Sequence, residues 1–148
     1  MVASCGGHIM ELIQLLPVAE GKDYYFVTEK NVATEDMMVN HRHYYLKQQQ
    51  RRGIMFAFTF ALNIIMSFLY YVWERPTTVI STGAGASYPT LRLAHFFGAK
   101  VIYVESFAKL TNSSVTGRLA YRIADEFFVQ WPEMQKVYPN AKYSGTVY

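Results

Sequence analysis

Gly6, Gly7 and His8 stand between a short apolar run and a helical pattern, and residues of these types can support chemistry. Glycines let the backbone approach a ligand closely, and a helix beginning there directs its free N–H groups at the same place. That end of a helix favours phosphate or another anion, and a histidine beside it can transfer a proton near neutral pH. The three residues also suit a tight strand-to-helix turn, so the motif alone leaves both interpretations open.

Two further segments carry residues suited to a binding site. Gly83–Ala84–Gly85 follows a β-prone run and precedes a helical pattern, so its backbone could also cradle an anion, although it equally suits an ordinary glycine turn. Glu105 stands where a buried-type strand ends, and a capping or ion-pair role is the alternative for it. Because ligands of open α/β sheets bind outside the carboxyl ends of the strands, we expect these segments to meet there.

Strand and helix patterns alternate along the chain, which predicts an α/β fold with a mostly parallel sheet covered on both faces. The predicted strands are Val2–Ser4, Tyr24–Thr28, Tyr44–Leu46, Thr77–Thr82, Lys100–Val104, Glu126–Val129 and one around Lys142–Ser144. The predicted helices are one through Ile9 and Leu16 ended by Pro17, one from about Pro89 to Gly98, one over Thr116–Ala124 and a short one after Pro132. The length of 148 residues suits a single domain.

The composition is apolar for a domain of this size. Hydrophobic residues make up 51% of the chain and charged residues 17%, against about 25% charged in typical soluble domains. We therefore expect some apolar surface to face a partner or a lipid bilayer. The net charge of +3, without aromatic-basic interleaving, argues against a nucleic-acid partner. The single Cys5 cannot form an internal disulfide, which suits a reducing compartment, and no signal-peptide pattern is present.

The segment from Gly53 to Trp73 carries no charge over 21 residues, enough by length to cross a bilayer. A membrane span would put the two glycine turns on opposite sides of the bilayer, which a single parallel sheet forbids. A helix buried on the sheet is one alternative. We favour a helix that packs on the sheet and rests in the membrane interface, next to the basic stretch that runs from His41 to Arg52. The expected membrane contacts are Arg51, Arg52, Phe56, Phe60 and Trp73.

Four segments, in order and spacing, resemble one family over nearly the whole chain: "SCGGHIMEL", "STGAGASYP", "VESFAKLTNSSVTGRLAYRIADEFFVQWPEM" and "YPNAKYSG". The family is the acceptor-side, membrane-recruiting subunit of two-part UDP-sugar glycosyltransferases, with a eukaryotic branch that elongates dolichol-diphosphate-linked N-acetylglucosamine and bacterial branches in capsular and exopolysaccharide synthesis. The resemblance implies a Rossmann-like parallel sheet equivalent to the N-terminal half of a GT-B glycosyltransferase, formed by residues 1–148 as one domain. The donor sugar normally sits on the other half of such enzymes.

The resemblance also implies residue roles. His8 would take the proton of the acceptor hydroxyl or bind phosphate, and Glu105 would orient a sugar hydroxyl or His8. The residues expected to bind the acceptor or its phosphates are Gly6, Gly7, Thr82, Gly83, Gly85 and Ser106. The residues expected to contact a donor-binding subunit are Trp131, Tyr138, Tyr143 and Tyr148.

The resemblance implies inverting transfer only in a heterodimer with that subunit, which would hold most of the UDP-sugar, and no metal or other cofactor. The expected acceptor is a polyprenyl-diphosphate-linked sugar, and the expected location is the cytoplasmic face of a bacterial plasma membrane or of the endoplasmic reticulum. No anchor precedes Gly6 in this sequence, so we expect recruitment to rest on the apolar segment and its basic flank, or on a truncated segment. The alternatives are a non-catalytic membrane adaptor that activates the transferase subunit and, less in keeping with the motifs, an unrelated small-molecule Rossmann binder.

Overall fold

The computed structural model describes residues 1–49 and 53–148, which form a seven-stranded, all-parallel sheet with helices on both faces. The predicted fold class is therefore confirmed. In chain order the strands are β1 Val2–Ala3, β2 Phe26–Glu29, β3 His43–Leu46, β4 Thr78–Gly83, β5 Lys100–Val104, β6 Glu126–Val129 and β7 Lys142–Tyr143. Their spatial order is β3-β2-β1-β4-β5-β6-β7, so the winding direction reverses between β1 and β4. Ligands of doubly wound sheets bind beside such a reversal, at the carboxyl ends of the strands.

The α-helices are α1 Gly7–Gln14, α2 Val32–Met38, α3 Ile54–Glu74, α4 Tyr88–Phe96 and α5 Val115–Ala120. Short 3-10 turns cover Leu16–Ala19, Gly85–Ser87 and Pro132–Lys136. Two elements differ most from the prediction. Helix α5 ends four residues before Ala124, and α2 was not predicted because its buried residues do not make an apolar stripe. Asn31 begins α2 with a capping box, since Asn31 and Thr34 each accept the other's backbone N–H.

The core has two parts, one on each face of the sheet. On one face Ile9 and Leu12 of α1 pack with Phe26 and Met38, all four fully buried. The larger part on the other side includes Leu91 of α4 and the Tyr103–Phe127 stack, whose ring centroids are 5.1 Å apart. These clusters fix α1 and α4 directly above the strand ends from which the glycine turns emerge.

Helix α3 has inverted packing: its polar residues face the fold and most of its large apolar residues face outward. Its buried residues are Thr59, Asn63, Ser67 and Tyr71, one on every helical turn. Asn63 is fully buried and accepts the N–H of Lys47 while donating to its carbonyl oxygen, both at 2.9 Å. Thr90 of α4 donates to the Ser67 hydroxyl at 3.1 Å. The exposed large side chains of this helix are Ile54, Met55, Phe56, Phe58, Ile64, Ile65, Phe68, Leu69, Val72 and Trp73.

The contacts of α3 decide between the interpretations of the apolar segment. The helix connects two strands of one sheet and packs against β3 and α4, which contradicts a membrane span separating the two glycine turns. Only 22% of its most apolar stretch is buried, so a helix buried on the sheet is also wrong, although by length and composition alone the helix could cross a bilayer. Phe56 is 39% exposed and stacks on the half-buried Phe60, whereas Trp73 is 81% exposed.

Arg42 and Lys47, basic residues before α3 that the structure describes, lie at different places in the fold. Arg42 lies at the amino end of β3, where it pairs with Asp23 and with Glu74 at the far end of α3, each at 3.2 Å. Lys47 lies beyond the carboxyl end of β3, beside the first half of α3. Arg42 and Lys47 therefore lie at opposite ends of β3, and of these two only Lys47 lies beside the first half of α3. Arg51 and Arg52 fall outside the described residues.

We predict that Asn63→Leu destabilises the protein by about 1 kcal/mol or more, because the backbone N–H and carbonyl of Lys47 lose their buried partner. Urea unfolding followed by circular dichroism measures the change. Ile65→Asn, on the exposed side of the same helix, serves as the control and should change the free energy of unfolding by less than about 0.5 kcal/mol. Equal effects of the two substitutions would contradict the inverted packing of α3.

Candidate functional site

The two glycine turns meet at the point where the sheet reverses direction. The N–H of Ser4, at the end of β1, donates to the Gly83 carbonyl at 3.0 Å, so the turn after β1 lies beside the turn after β4. Gly6 has a φ of 78°, a conformation that favours glycine, and precedes α1 without any side-chain cap. Both Gly6 and Gly7 are exposed. No side chain therefore covers the start of α1 at Gly6 and Gly7, which suits an anion site.

His8 is fixed against the end of β4 by two hydrogen bonds. Its Nδ1 lies 2.8 Å from the Thr82 carbonyl oxygen, and the Thr82 hydroxyl donates to the His8 carbonyl at 2.6 Å. Because a carbonyl oxygen can only accept, Nδ1 carries the proton of the neutral ring. The lone pair therefore resides on Nε2, which makes that nitrogen the one able to take a proton.

Gly83 must lack a side chain because it lies between two rings. A Cβ placed there would lie 2.9 Å from the Tyr103 hydroxyl and 3.4 Å from the Cε1 and Nδ1 atoms of His8, and the φ of 100° also favours glycine. Gly85 is exposed, and a Cβ on it would lie 3.2 Å from Oε1 of Gln49 in the segment after β3. The second glycine turn therefore shapes the surroundings of His8, and three connecting segments converge on this place.

Glu105 is fully buried, and its carboxylate accepts hydrogen bonds from groups of the protein itself. The Ser114 hydroxyl donates to Oε1 at 2.9 Å, Tyr138 donates to Oε2 at 2.7 Å, and the N–H of Ser106 donates to Oε1 at 3.1 Å. Ser114 is also the N-cap of α5. In this structure Glu105 therefore fixes the loop between β5 and α5, and a direct contact with a sugar or with His8 is contradicted by its burial and its partners. Glu105 therefore supports the cap of α5, Ser114, without being the cap itself.

Three more of the predicted site residues are occupied by internal bonds. Thr82 is fully buried, and its hydroxyl holds the His8 backbone. Ser106 is 6% exposed and donates to Glu11, so neither hydroxyl faces a ligand. Tyr138 is 2% exposed, which contradicts its assignment to a docking surface.

Sequence reasoning missed a buried carboxylate at Glu11, on the turn of α1 after His8. Glu11 is 4% exposed and accepts hydrogen bonds from Ser106 Oγ, from Gln130 Nε2 and from the N–H of Phe107. Burial raises the pKa of Glu11, and these donors together with the charge of His8 oppose the rise. Its position beside the apolar stripe was the available signal, but its partners lie about a hundred residues away in the sequence.

Glu29, at the end of β2, was missed in the same way. It is 5% exposed and accepts from the Cys5 N–H at 3.2 Å and from the Gln49 N–H at 2.6 Å. The Cys5 thiol also contacts it, and burial together with the Glu29 charge raises the pKa of that thiol. Glu29 therefore ties the glycine turn after β1 to the segment that leads into α3.

Aromatic side chains form a cluster beside the same edge of the sheet. The Trp131 indole donates to the Phe107 carbonyl at 2.7 Å, and the Tyr148 ring packs edge-on against the Phe107 ring at 5.4 Å. Tyr148 is 61% exposed, and Tyr143 is 44% exposed on the outermost strand, β7. Trp131 and Tyr148 therefore meet at Phe107, in the loop after β5, whereas Tyr143 lies on β7. Within residues 1–49 and 53–148, no group of three His, Cys, Asp or Glu side chains could hold a metal ion.

Comparison with known families gives a match over almost the whole chain. A family described as "Oligosaccharide biosynthesis protein Alg14 like" matches residues 1–147. The UDP-N-acetylglucosamine transferase subunit ALG14 of Rattus norvegicus is 26% identical over 175 aligned residues, covering 99% of this chain and 81% of that protein. The subunit of the same name from Schizosaccharomyces pombe is 27% identical, covering 96% of this chain and 79% of that protein. The Kluyveromyces lactis subunit is 45% identical over a shorter stretch, 38% of this chain and 25% of that protein.

Solved structures share the fold. MurG of Acinetobacter baumannii superposes with a TM-score of 0.76 at 15% identity, covering 98% of this chain and 45% of that one. The UDP-GlcNAc 2-epimerase of Methanocaldococcus jannaschii superposes with a TM-score of 0.72 at 12% identity, covering 97% of this chain and 44% of that one. This chain therefore spans less than half the length of the solved proteins that share its architecture.

We predict that Gly117→Ala destabilises the protein by about 1–3 kcal/mol, because the new Cβ would lie 1.9 Å from Glu105 Oε2 and 2.7 Å from the Tyr138 hydroxyl. The higher helix propensity of alanine offsets at most about 1 kcal/mol of that cost. Chemical unfolding measures the difference, with Arg118→Ala on the exposed side of the same helix as the control. A stabilising Gly117→Ala would disprove the packing of the Glu105 carboxylate against α5.

Proposed function

The chain belongs to the family of Alg14-like oligosaccharide biosynthesis proteins, and from that premise we propose that it is the acceptor-side subunit of a UDP-sugar transferase. Residues 1–148 form one domain equivalent to the N-terminal half of a GT-B enzyme, and a separate chain holds the donor, UDP-GlcNAc or a related UDP-sugar. The observation that carries the proposal is the open N-terminus of α1 at Gly6 and Gly7, directly beside the lone pair on His8 Nε2. The name of the ALG14 relatives as transferase subunits supports it.

The acceptor is a sugar linked to a polyprenyl diphosphate. Its diphosphate binds the exposed N–H groups at Gly6 and Gly7, because the helix dipole and the free donors both favour anionic oxygens there. The exposed Gly85 borders the same place. No metal is required of this chain, because the helix terminus supplies the positive potential, and the partner subunit binds most of the UDP-sugar.

His8 acts as the general base of an inverting transfer. Its Nε2 takes the proton of the acceptor hydroxyl while that oxygen attacks C1 of the donor sugar, and the bond between C1 and the UDP oxygen breaks on the opposite side. The hydrogen bond from Nδ1 to the Thr82 carbonyl stabilises the imidazolium that forms. A positioned base contributes about 10²–10⁴-fold to such a rate. Since the donor lies on the other subunit, the reaction requires the heterodimer.

The same protein is held at a membrane surface through the outward side of α3. This side carries exposed Phe58, Ile65, Leu69 and Trp73, while the polar side of the helix bonds to the fold. Aromatic and aliphatic side chains of this kind suit the interface between headgroups and acyl chains. Lys47, beside the first half of α3, adds attraction to anionic lipid. The location is the cytoplasmic face of the plasma membrane in a bacterium or of the endoplasmic reticulum in a eukaryote.

The half-buried Trp131 and the exposed Tyr148 are the proposed contact with the donor-binding subunit. Aromatic residues are enriched in the cores of protein interfaces, and this cluster lies at the sheet edge that carries the glycine turns. A partner seated there would bring its donor toward His8. Tyr143 on β7 extends the proposed contact along the outermost strand.

We predict that His8→Asn lowers kcat of the reconstituted pair at least about tenfold. Asparagine can still donate an N–H to the Thr82 carbonyl but cannot take a proton, so the turn keeps its shape. The measurement is transfer from UDP-GlcNAc to a short polyprenyl-diphosphate-linked sugar, with His95→Asn, at an exposed position of α4, as the control. If both variants turn over like the wild type, this chain is a non-catalytic adaptor whose partner performs all the chemistry.

We further predict that Phe58→Ser combined with Leu69→Ser weakens binding to phosphatidylcholine–phosphatidylserine vesicles at least about tenfold, because each buried apolar side chain contributes about 1.5–3 kcal/mol. Vesicle sedimentation measures binding. Val32→Ser serves as the control, since this equally apolar residue is exposed on α2 rather than on α3. Unchanged vesicle binding of the double variant would contradict the proposal that α3 contacts the membrane.

A further inference from the structure

Two buried polar side chains, Glu11 and Gln130, connect α1 to the loop after β5, which lies about a hundred residues away in the sequence. We call this set of contacts the junction. We propose that these two residues form a positioning pair, which holds α1 and therefore His8 at a fixed orientation relative to the loop after β5. The proposal deepens the proposed function, since it names what places the base of that site. Neither side chain faces the open crevice, so both act through His8 rather than on a substrate.

Gln130 holds the pair together because its amide contacts three separate segments. Its Nε2 donates to Glu11 Oε2 on α1 and to the Glu105 carbonyl at the end of β5, both at 3.0 Å. Its Oε1 accepts the N–H of Val147 at 3.0 Å. Gln130 is 2% exposed, so no water can readily replace these partners. Because both the nitrogen and the oxygen of the amide are hydrogen-bonded, the Gln130 side chain has a single favourable orientation.

Glu11 supplies the other half of the junction. Ser106 Oγ donates to its Oε1 at 3.0 Å, and the Phe107 N–H lies 3.2 Å from Oε1 and 3.3 Å from Oε2. Burial of a carboxylate is costly unless several donors converge on it. Since these donors come from one loop and from Gln130, α1 cannot rotate or slide without leaving the charge unpaired.

His8 and Glu11 are three residues apart on α1 and therefore lie on the same side of the helix. The His8 ring reaches the Thr82 carbonyl only at one rotation of α1, where Nδ1 can donate over 2.8 Å. The Glu11 junction sets that rotation from one side, and the Thr82 bonds set it from the other. Loss of the junction should loosen the His8 ring even where the overall fold persists.

The test is the NMR signature of His8 in the full chain, because it does not depend on any enzymatic activity. In wild-type protein the ¹⁵N spectrum of the neutral ring should show the proton on Nδ1. Glu11→Gln replaces one acceptor oxygen by an NH₂ group, which cannot accept the hydrogen bonds that Ser106, Phe107 and Gln130 donate there. The variant should therefore shift the His8 ring signals and populate both tautomers of the neutral ring. Asp125→Asn is the matched control, since Asp125 also accepts a backbone N–H, that of Val101, but at the opposite edge of the sheet.

In the reconstituted pair we expect Glu11→Gln to lower kcat at least about tenfold while the KM for UDP-sugar stays within about twofold, because misplacing the base affects the reaction step rather than donor binding. Gln130→Met is the second variant, used in the same measurements, and keeps the proposal testable if Glu11→Gln fails to fold. His8 signals that match the wild type in a folded variant would overturn the proposal. Shifted signals without turnover in any protein, wild type included, would support the positioning pair and refute the proposed function.

Discussion

A carboxylate taken out of water must be surrounded by donors, and this constraint organises the end of the sheet at which the glycine turns meet. Glu11, Glu29 and Glu105 are each at most 5% exposed. Glu11 and Glu29 accept backbone N–H groups from segments distant in sequence, and Glu105 accepts those of Ser106 and Ser114 in the loop that follows it. Such bonds make the burial of charge tolerable. The loops after β1, β3 and β5 are therefore fixed by internal ionic hydrogen bonds, and the exposed Gly6–Gly7 turn is supported by a rigid frame.

The fold followed from local patterns. Buried β-prone runs, amphipathic periods and glycines at helix ends predicted the strands and most helices, and the strand β5 and β6 boundaries agree with the structure. The meeting of the two glycine turns also followed, since parallel strands put their carboxyl ends at one edge. Helix α2 was missed because it depends on the Asn31 capping box and not on an apolar stripe.

The site itself was only partly predictable. Gly6, Gly7 and His8 could be identified because glycine and histidine have uses that the sequence displays. The role of Glu105 could not, because its partners Ser114 and Tyr138 are 9 and 33 residues away and only the folded chain brings them together. Glu11 was missed for the same reason, its bond to Gln130 spanning 119 residues. Long-range satisfaction of buried polar groups leaves no periodic trace in a sequence.

Helix α3 runs opposite to the strands, from the carboxyl edge beside Lys47 to the amino edge, where Glu74 meets Arg42. A planar surface resting on its outward side would lie along the strand direction, with the crevice at one end of the footprint. The opening would then face sideways, neither into the plane nor away from it. Under the proposed function, an acceptor tethered in that plane would reach His8 by two-dimensional diffusion, with its hydrocarbon chain still in the membrane.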